Sequence, residues 1–294
     1  MQYLRRLVAM IVATRSLSWA GSLGLAGSLG WAGQALAQVP HNWQLGLQTA
    51  ASPVAEEIEW LHNIVLVLIT VITLFVAGLL AWVIWRYDAK RNPTPSRLSH
   101  HTWLEVAWTG VPVVILAGMA VISFPLVFYE DRTHDPDLTI KVIGHQWYWE
   151  YNYPDNGPVN FSSYGIKDED IKPGQLRRLE VDNQLVVPVG KNVRILTTSA
   201  DVIHSFFIPS LGVQRYAIPG RTIETWVRVD RPGDYYGECI QICGTNHSQM
   251  PITIHAIPAD QFNAWVTQAK AKFAADDAAP AAAATPIAVA QIQH

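Results

Sequence analysis

The sequence predicts a mainly β domain, a sandwich or barrel, carried outside the membrane on a two-helix transmembrane hairpin. Two apolar stretches are long enough to cross a bilayer. After Glu130 the pattern changes to short runs rich in Val, Ile, Thr and aromatic residues, broken by Pro and Gly. No amphipathic helical segment separates those runs, which argues against a parallel α/β sheet. The chain has 294 residues, half of them hydrophobic, and a formal net charge of −3, so neither a disordered chain nor a nucleic-acid binder is expected.

Residues 1–37 open with Arg5 and Arg6, continue through an Ala/Gly/Leu/Trp-rich stretch and end Ala35-Leu36-Ala37, the form of a cleaved export signal. An uncleaved anchor is the alternative, but Thr14-Arg15-Ser16 and five glycines make a poor span. The segment 38–129 then carries both membrane helices. Ser52-Pro53 followed by Glu56, Glu57 and Glu59 marks a helix start, with a capping serine, proline in the first turn and acid near the positive end of the helix dipole. The helix expected over about 53–85 includes Ile64–Trp85, which holds no charge. A second span is expected over about 103–128, bent at Pro112. Between the spans, Arg86, Lys90, Arg91 and Arg97 face one acid, Asp88, so the positive-inside rule puts this loop in the cytoplasm and both chain ends outside. Trp60, Trp82, Trp85, Trp103 and Trp108 fit an interfacial aromatic belt.

Strands are expected at Leu138–Gly144, Leu185–Val189, Val193–Thr198, Thr222–Val229 and Ile252–Ile257 within an exported domain over 130–275. A helix is expected from Ala259 to Ala275, and the Ala/Pro-rich 276–294 reads as a disordered tail.

The only cysteines, Cys239 and Cys243, lie in CIQICGTNHSQM (239–250). A structural disulfide is the plain reading of two cysteines in an exported domain. It leaves His247 and Met250 unexplained, whereas thiolate, imidazole and thioether together select copper. A mononuclear blue-copper site uses one thiolate and two imidazoles, so the loop holds one thiolate too many. His204 in DVIHSF is the best second imidazole. Two thiolates bridging a copper pair, with His204, His247, Met250 and the backbone carbonyl of Gln241, would use every donor.

These residues closely resemble the dicopper (CuA) loop of subunit II of haem–copper cytochrome c oxidases, C-S-E-[IL]-C-G-x-N-H-x-x-M. The resemblance spans nearly all of Pro53–Trp265, through GHQWYWEY (144–151), LEVDN (179–183), DVIHSF (201–206), AIPGR (217–221) and MPI (250–252). It implies a cupredoxin-like Greek-key β-barrel or sandwich on a two-helix anchor in a bacterial inner membrane, with the copper domain periplasmic. It also implies a role as the electron-receiving subunit of a proton-pumping aa3-type oxidase. Cytochrome c would be the donor, with subunit I (haems a and a3, and CuB) and subunit III as partners. A quinol-oxidase subunit of the same fold would have lost the copper ligands. A membrane-tethered copper carrier or sensor would not need the aromatic QWYW strand.

One departure concerns Gln241, which stands where the family has a glutamate that also binds magnesium shared with subunit I. A neutral amide is a weaker ligand for that hard cation, which puts magnesium binding in doubt and leaves Glu238 as a speculative substitute. Alternation over Gly144–Tyr153 puts Trp147, Trp149, Tyr151 and Tyr153 on one strand face; the resemblance singles out Trp147 as the point where electrons come in. Nine acids against three bases between Glu130 and Asp170 suit a basic partner, and Glu150, Asp155 and Asp182 are the expected docking acids. Glu105 completes a capping box that starts at Thr102, and in the family the matching glutamate lies at the mouth of a proton channel.

Overall fold

Uninterrupted apolar sequence makes the first two elements. The computed structural model describes residues 39–133 and 135–277; the expected export signal and nearly all of the expected tail lie outside them. Helix α1 runs Pro53–Arg86 and α2 runs Thr102–Asp131, about 51 and 45 Å long at 1.5 Å per residue, each sufficient to span a bilayer. Ser52 caps α1, its Oγ accepting from the Ala55 amide. The cap of α2 is His101 rather than Thr102: its ring Nδ1 accepts from the Leu104 amide, and Glu105 Oε1 accepts from the His101 amide. The capping box thus starts one residue earlier than expected. Pro125 as well as Pro112 lies inside α2.

Among the described residues ten strands follow: β1 (Leu138–His145), β2 (Tyr148–Asn152), β3 (Asn160–Ser163), β4 (Leu185–Pro188), β5 (Val193–Ser199), β6 (His204–Ile208), β7 (Val213–Ala217), β8 (Ile223–Val227), β9 (Gly233–Cys239) and β10 (Pro251–Ile257). They form two five-stranded sheets, ordered β3-β2-β1-β5-β8 and β4-β10-β9-β6-β7. Both sheets are mixed, with parallel pairs β1–β5 and β4–β10 and antiparallel neighbours elsewhere. Inward residues such as Ile140, Val142, Ile195, Phe206, Ile208, Ile252 and Ile254 are fully buried between the sheets. The closing helix α3 (Ala259–Asp277) packs Phe262, Val266 and Phe273 onto the core and runs two residues past its expected end.

The aromatic segment is not one strand. Chain reversal at Gln146-Trp147 splits it into the hairpin β1–β2, with His145 paired to Tyr148. Trp149, Tyr151 and Tyr153 share a buried face as expected, while Trp147 sits in the turn, half-buried.

Membrane helices and β domain are stitched together. Ser52 Oγ donates to the Leu211 carbonyl at 2.7 Å, the Ala51 amide to Ser210, and Trp226 Nε1 to the Tyr129 carbonyl at 3.0 Å. Arg215 reaches the Asp131 carboxylate at the end of α2.

Candidate metal centre

Strand ends bring the donors to one edge of the sandwich. Cys239 is the last residue of β9, His204 the first of β6, and Met250 immediately precedes β10; all three are buried. Between Cys239 and Met250 the chain loops out and returns, pinned where the Cys239 amide donates to the Met250 carbonyl.

Both cysteines are free, with their sulfurs 4.0 Å apart, well beyond bonding distance. Cys239 Sγ lies 3.9 Å from His204 Nδ1 and 3.4 Å from the Gln241 carbonyl oxygen, while Cys243 Sγ lies 3.5 Å from His247 Nδ1. His204, Cys239 and Cys243 form the one cluster of potential metal-binding side chains among the described residues whose donor atoms all lie within 4.8 Å of one another. Five of the six expected ligands therefore converge, with Met250 buried beside them in sequence at the foot of the loop.

Electrostatics set the protonation of Cys243 when no metal is bound. Burial, and then the neighbouring Cys239, push the Cys243 thiol up to about 12, so without a metal that thiol stays protonated at neutral pH. A bound cation would reverse that balance, because its charge would stabilise the thiolates. The set of soft sulfurs and imidazoles, all buried except the half-buried His247, fits copper.

Sequence reading assigned no role to Asp201, yet it orients the site. Its Oδ1 lies 2.8 Å from His204 Nε2. Carboxylates only accept, so Nε2 carries the proton and Nδ1 turns its lone pair toward the sulfurs. Burial pushes the Asp201 carboxyl up, but hydrogen bonds from His204 and from the Val202 and Gln146 amides outweigh it and leave the group below its ordinary range. The available signal was a carboxylate three residues before the expected ligand His204. Gly144 is required on the other side: a Cβ there would lie 2.7 Å from His204 Cδ2.

Trp147 packs on the metal loop, its ring atoms Cζ2 and Nε1 lying 3.0 and 3.3 Å from where a Cβ on Gly244 would stand. Trp149, by contrast, is wholly inside the core, its ring centroid 6.0 Å from that of His204. Turn and strand thus separate two tryptophans that alternation could not.

Two of the expected docking acids come together and the third does not. Glu150 and Asp182 share an open cavity of about 340 Å³ with Asn160 and Tyr164. Glu150 lies 2.9 Å from His145 Nε2, which holds its carboxyl below the ordinary range, and Asp182 accepts from the Tyr164 amide at 2.7 Å. Asp155 instead accepts from the Thr139 amide at 2.7 Å, five residues along β1 from Gly144 and so about 16 Å from the His204 edge. Glu105 lies in the first turn of α2, at the opposite end of that helix from the β domain.

Residues 138–257 match the family described as cytochrome c oxidase subunit II, periplasmic domain, and residues 40–126 its transmembrane domain. A probable cytochrome c oxidase subunit 2 of Rickettsia felis is 45% identical over 248 residues, covering 84% of this chain and 79% of its own length. Cytochrome c oxidase subunit 2 of Oenothera berteroana is 45% identical over 239 residues, 79% of this chain and 93% of that protein. Among solved structures, the periplasmic domain of cytochrome oxidase subunit II from Bradyrhizobium japonicum is 47% identical, with TM-score 0.45, covering 48% of this chain and 99% of that one.

Proposed function

Because this chain belongs to the cytochrome c oxidase subunit II family and is thus a two-pass membrane subunit of an oxidoreductase, we propose that it receives electrons from cytochrome c at a pair of copper ions. From there they pass to haem in subunit I. His204, Cys239, Cys243, His247, Met250 and the Gln241 carbonyl would hold the metals. Copper, when bound, supplies a one-electron relay whose charge is shared between two metals.

The remaining work falls to the protein. Trp147, seated on the metal loop at Gly244, is the point where electrons come in. Exposed Val202, Ile203, Ile240 and Ile242 offer the donor an apolar contact close to the metal loop, and Glu150 and Asp182 offer it negative charge. Asp155, at the far end of β1, contributes through the long-range field. Asp201 fixes the proton of His204 on the atom that faces away from the metal. Glu105 serves protons at the cytoplasmic mouth of subunit I. Magnesium binding is weakened by Gln241, and subunit III completes the complex in a bacterial inner membrane with the β domain and both termini periplasmic.

The observation that carries this reading is the convergence of two free buried thiols, two imidazoles and one carbonyl beneath a tryptophan. Copper analysis with electron paramagnetic resonance on the full-length protein in detergent tests it. Two coppers per chain sharing one unpaired electron are expected; one localised copper, or none, refutes it.

A further inference from the structure

Gln146 touches both halves of the metal site without being a ligand. Its backbone N–H donates to Asp201 Oδ2 at 2.6 Å, on the same carboxylate whose other oxygen faces His204. Its side-chain Nε2 donates to the Cys243 carbonyl at 2.7 Å. One residue in a hairpin turn therefore bonds to the histidine arm, 55 positions away in sequence, and to the thiol loop, 97 positions away.

Gly244 closes the arrangement. Its φ of +122° is one that side-chain-bearing residues rarely adopt, and a Cβ there would lie 3.0 Å from Gln146 Nε2 as well as against Trp147. The loop backbone thus lies flat on both side chains. Trp147 Nε1 is shielded from solvent and makes no hydrogen bond among the described residues. Packing against this glycine, with Gln146 beside it, is what locates the indole.

We propose that Gln146 is a positioning residue: it sets the spacing between the His204 arm and the Cys239–Cys243 loop, and seats Trp147 on that loop, before any metal arrives. The inference rests on the dicopper reading above. The backbone bond to Asp201 survives any substitution, so the side chain can be tested alone. Gln146→Met fills the same volume without a donor. Gln146→Glu keeps the shape but sets a carboxylate oxygen against the Cys243 carbonyl. Losing one such bond loosens the loop by roughly fivefold in its closed-to-open ratio.

The test uses full-length protein in detergent. In the metal-free reduced form, the reaction of the two thiols with a disulfide reagent is timed, and the emission of Trp147 is isolated by subtracting a Trp147→Phe background. Copper is then added and the paramagnetic resonance spectrum recorded. Expected are thiols reacting about fivefold faster in Gln146→Met and faster still in Gln146→Glu, a red shift of Trp147, and an altered copper spectrum. If the wild type fails to bind two coppers, the dicopper reading falls whatever Gln146 does. If the wild type binds them and the variants match it in thiol rate, Trp147 emission and spectrum, the positioning role is overturned, even where they melt earlier. Should Gln146→Glu not fold, Gln146→Met decides alone.

Discussion

Replacing Gly144 with alanine tests how tightly the frame holds its histidine. The glycine lies in β1 with ordinary backbone angles, so strain at its own position does not complicate the result. Its added Cβ would stand 2.7 Å from His204 Cδ2, 3.0 Å from Cγ and 3.2 Å from Cβ. Restoring an ordinary 3.4 Å to Cδ2 requires the ring to retreat by about 0.7 Å. The ring has nowhere easy to go: it is fully buried, tied to Asp201 at 2.8 Å and flanked by Trp149. Overpacking of this kind costs about 1–3 kcal/mol, which lowers Tm by roughly 2–12 °C for a domain of this size. The same displacement moves Nδ1 relative to the sulfurs, so copper affinity falls with stability. Thermal unfolding of the metal-free protein and copper competition against a chelator read the two effects separately. A Gly144→Ala protein with parental Tm and parental copper affinity would show that His204 is not held as described.

Further predictions concern the groups around this frame. Asp201→Asn removes the charge that fixes the His204 tautomer and should weaken copper binding by about 10–100-fold, read by chelator competition, with far-ultraviolet circular dichroism unchanged. Ser52→Ala deletes both the α1 cap and the bond to the Leu211 carbonyl; a loss of about 2–4 kcal/mol is expected in denaturant unfolding. Asp137 is held below the ordinary carboxylate range first by the Asn192 amide and then by Lys191. A lowered native pKa adds stability that is complete above the ordinary range and disappears as pH falls through the native value. Asp137→Asn should therefore narrow the stability difference between pH 7 and pH 3, read from urea midpoints; an unchanged difference would contradict the assignment.

Residue types and their spacing pointed to the proposed ligand set, because soft donors concentrated in twelve residues, with His204 close by in the fold, have few other uses. The membrane helices were equally legible, since twenty-two uncharged residues in a row satisfy one physical demand. What stayed hidden depends on chain reversal. Alternation from Gly144 to Tyr153 reads as one strand, yet the chain turns at Gln146-Trp147, and that turn is what separates Trp147 from Trp149. Strands β3, β6, β7 and β9 were missed: β3 and β7 are edge strands of four and five residues, and β6 and β9 interrupt their apolar runs with residues such as Ser205, Asp234 and Gly237. Asp155 counted as a docking acid on charge alone; its place opposite Thr139 follows from sheet pairing that charge counting cannot register.

The proposed ligands are carried by structure that leaves them little freedom. His204 begins β6, Cys239 ends β9 and Met250 leads into β10, and these strands are neighbours in one sheet. Asp201 follows β5 of the other sheet, and Gln146 lies in the β1–β2 turn of that sheet as well. The cysteine loop is therefore clamped from both layers of the sandwich, so on the proposed dicopper reading a change of charge there would meet a packed interior that resists rearrangement. At the far end of β6, the segment from Pro209 to Gly212 is bonded to the start of α1, while Trp226 in β8 is bonded to the end of α2. Helix anchor and metal loop thus share strand β6. That continuity fixes the height of the metal site relative to the membrane helices, and so its distance from any subunit that packs against them.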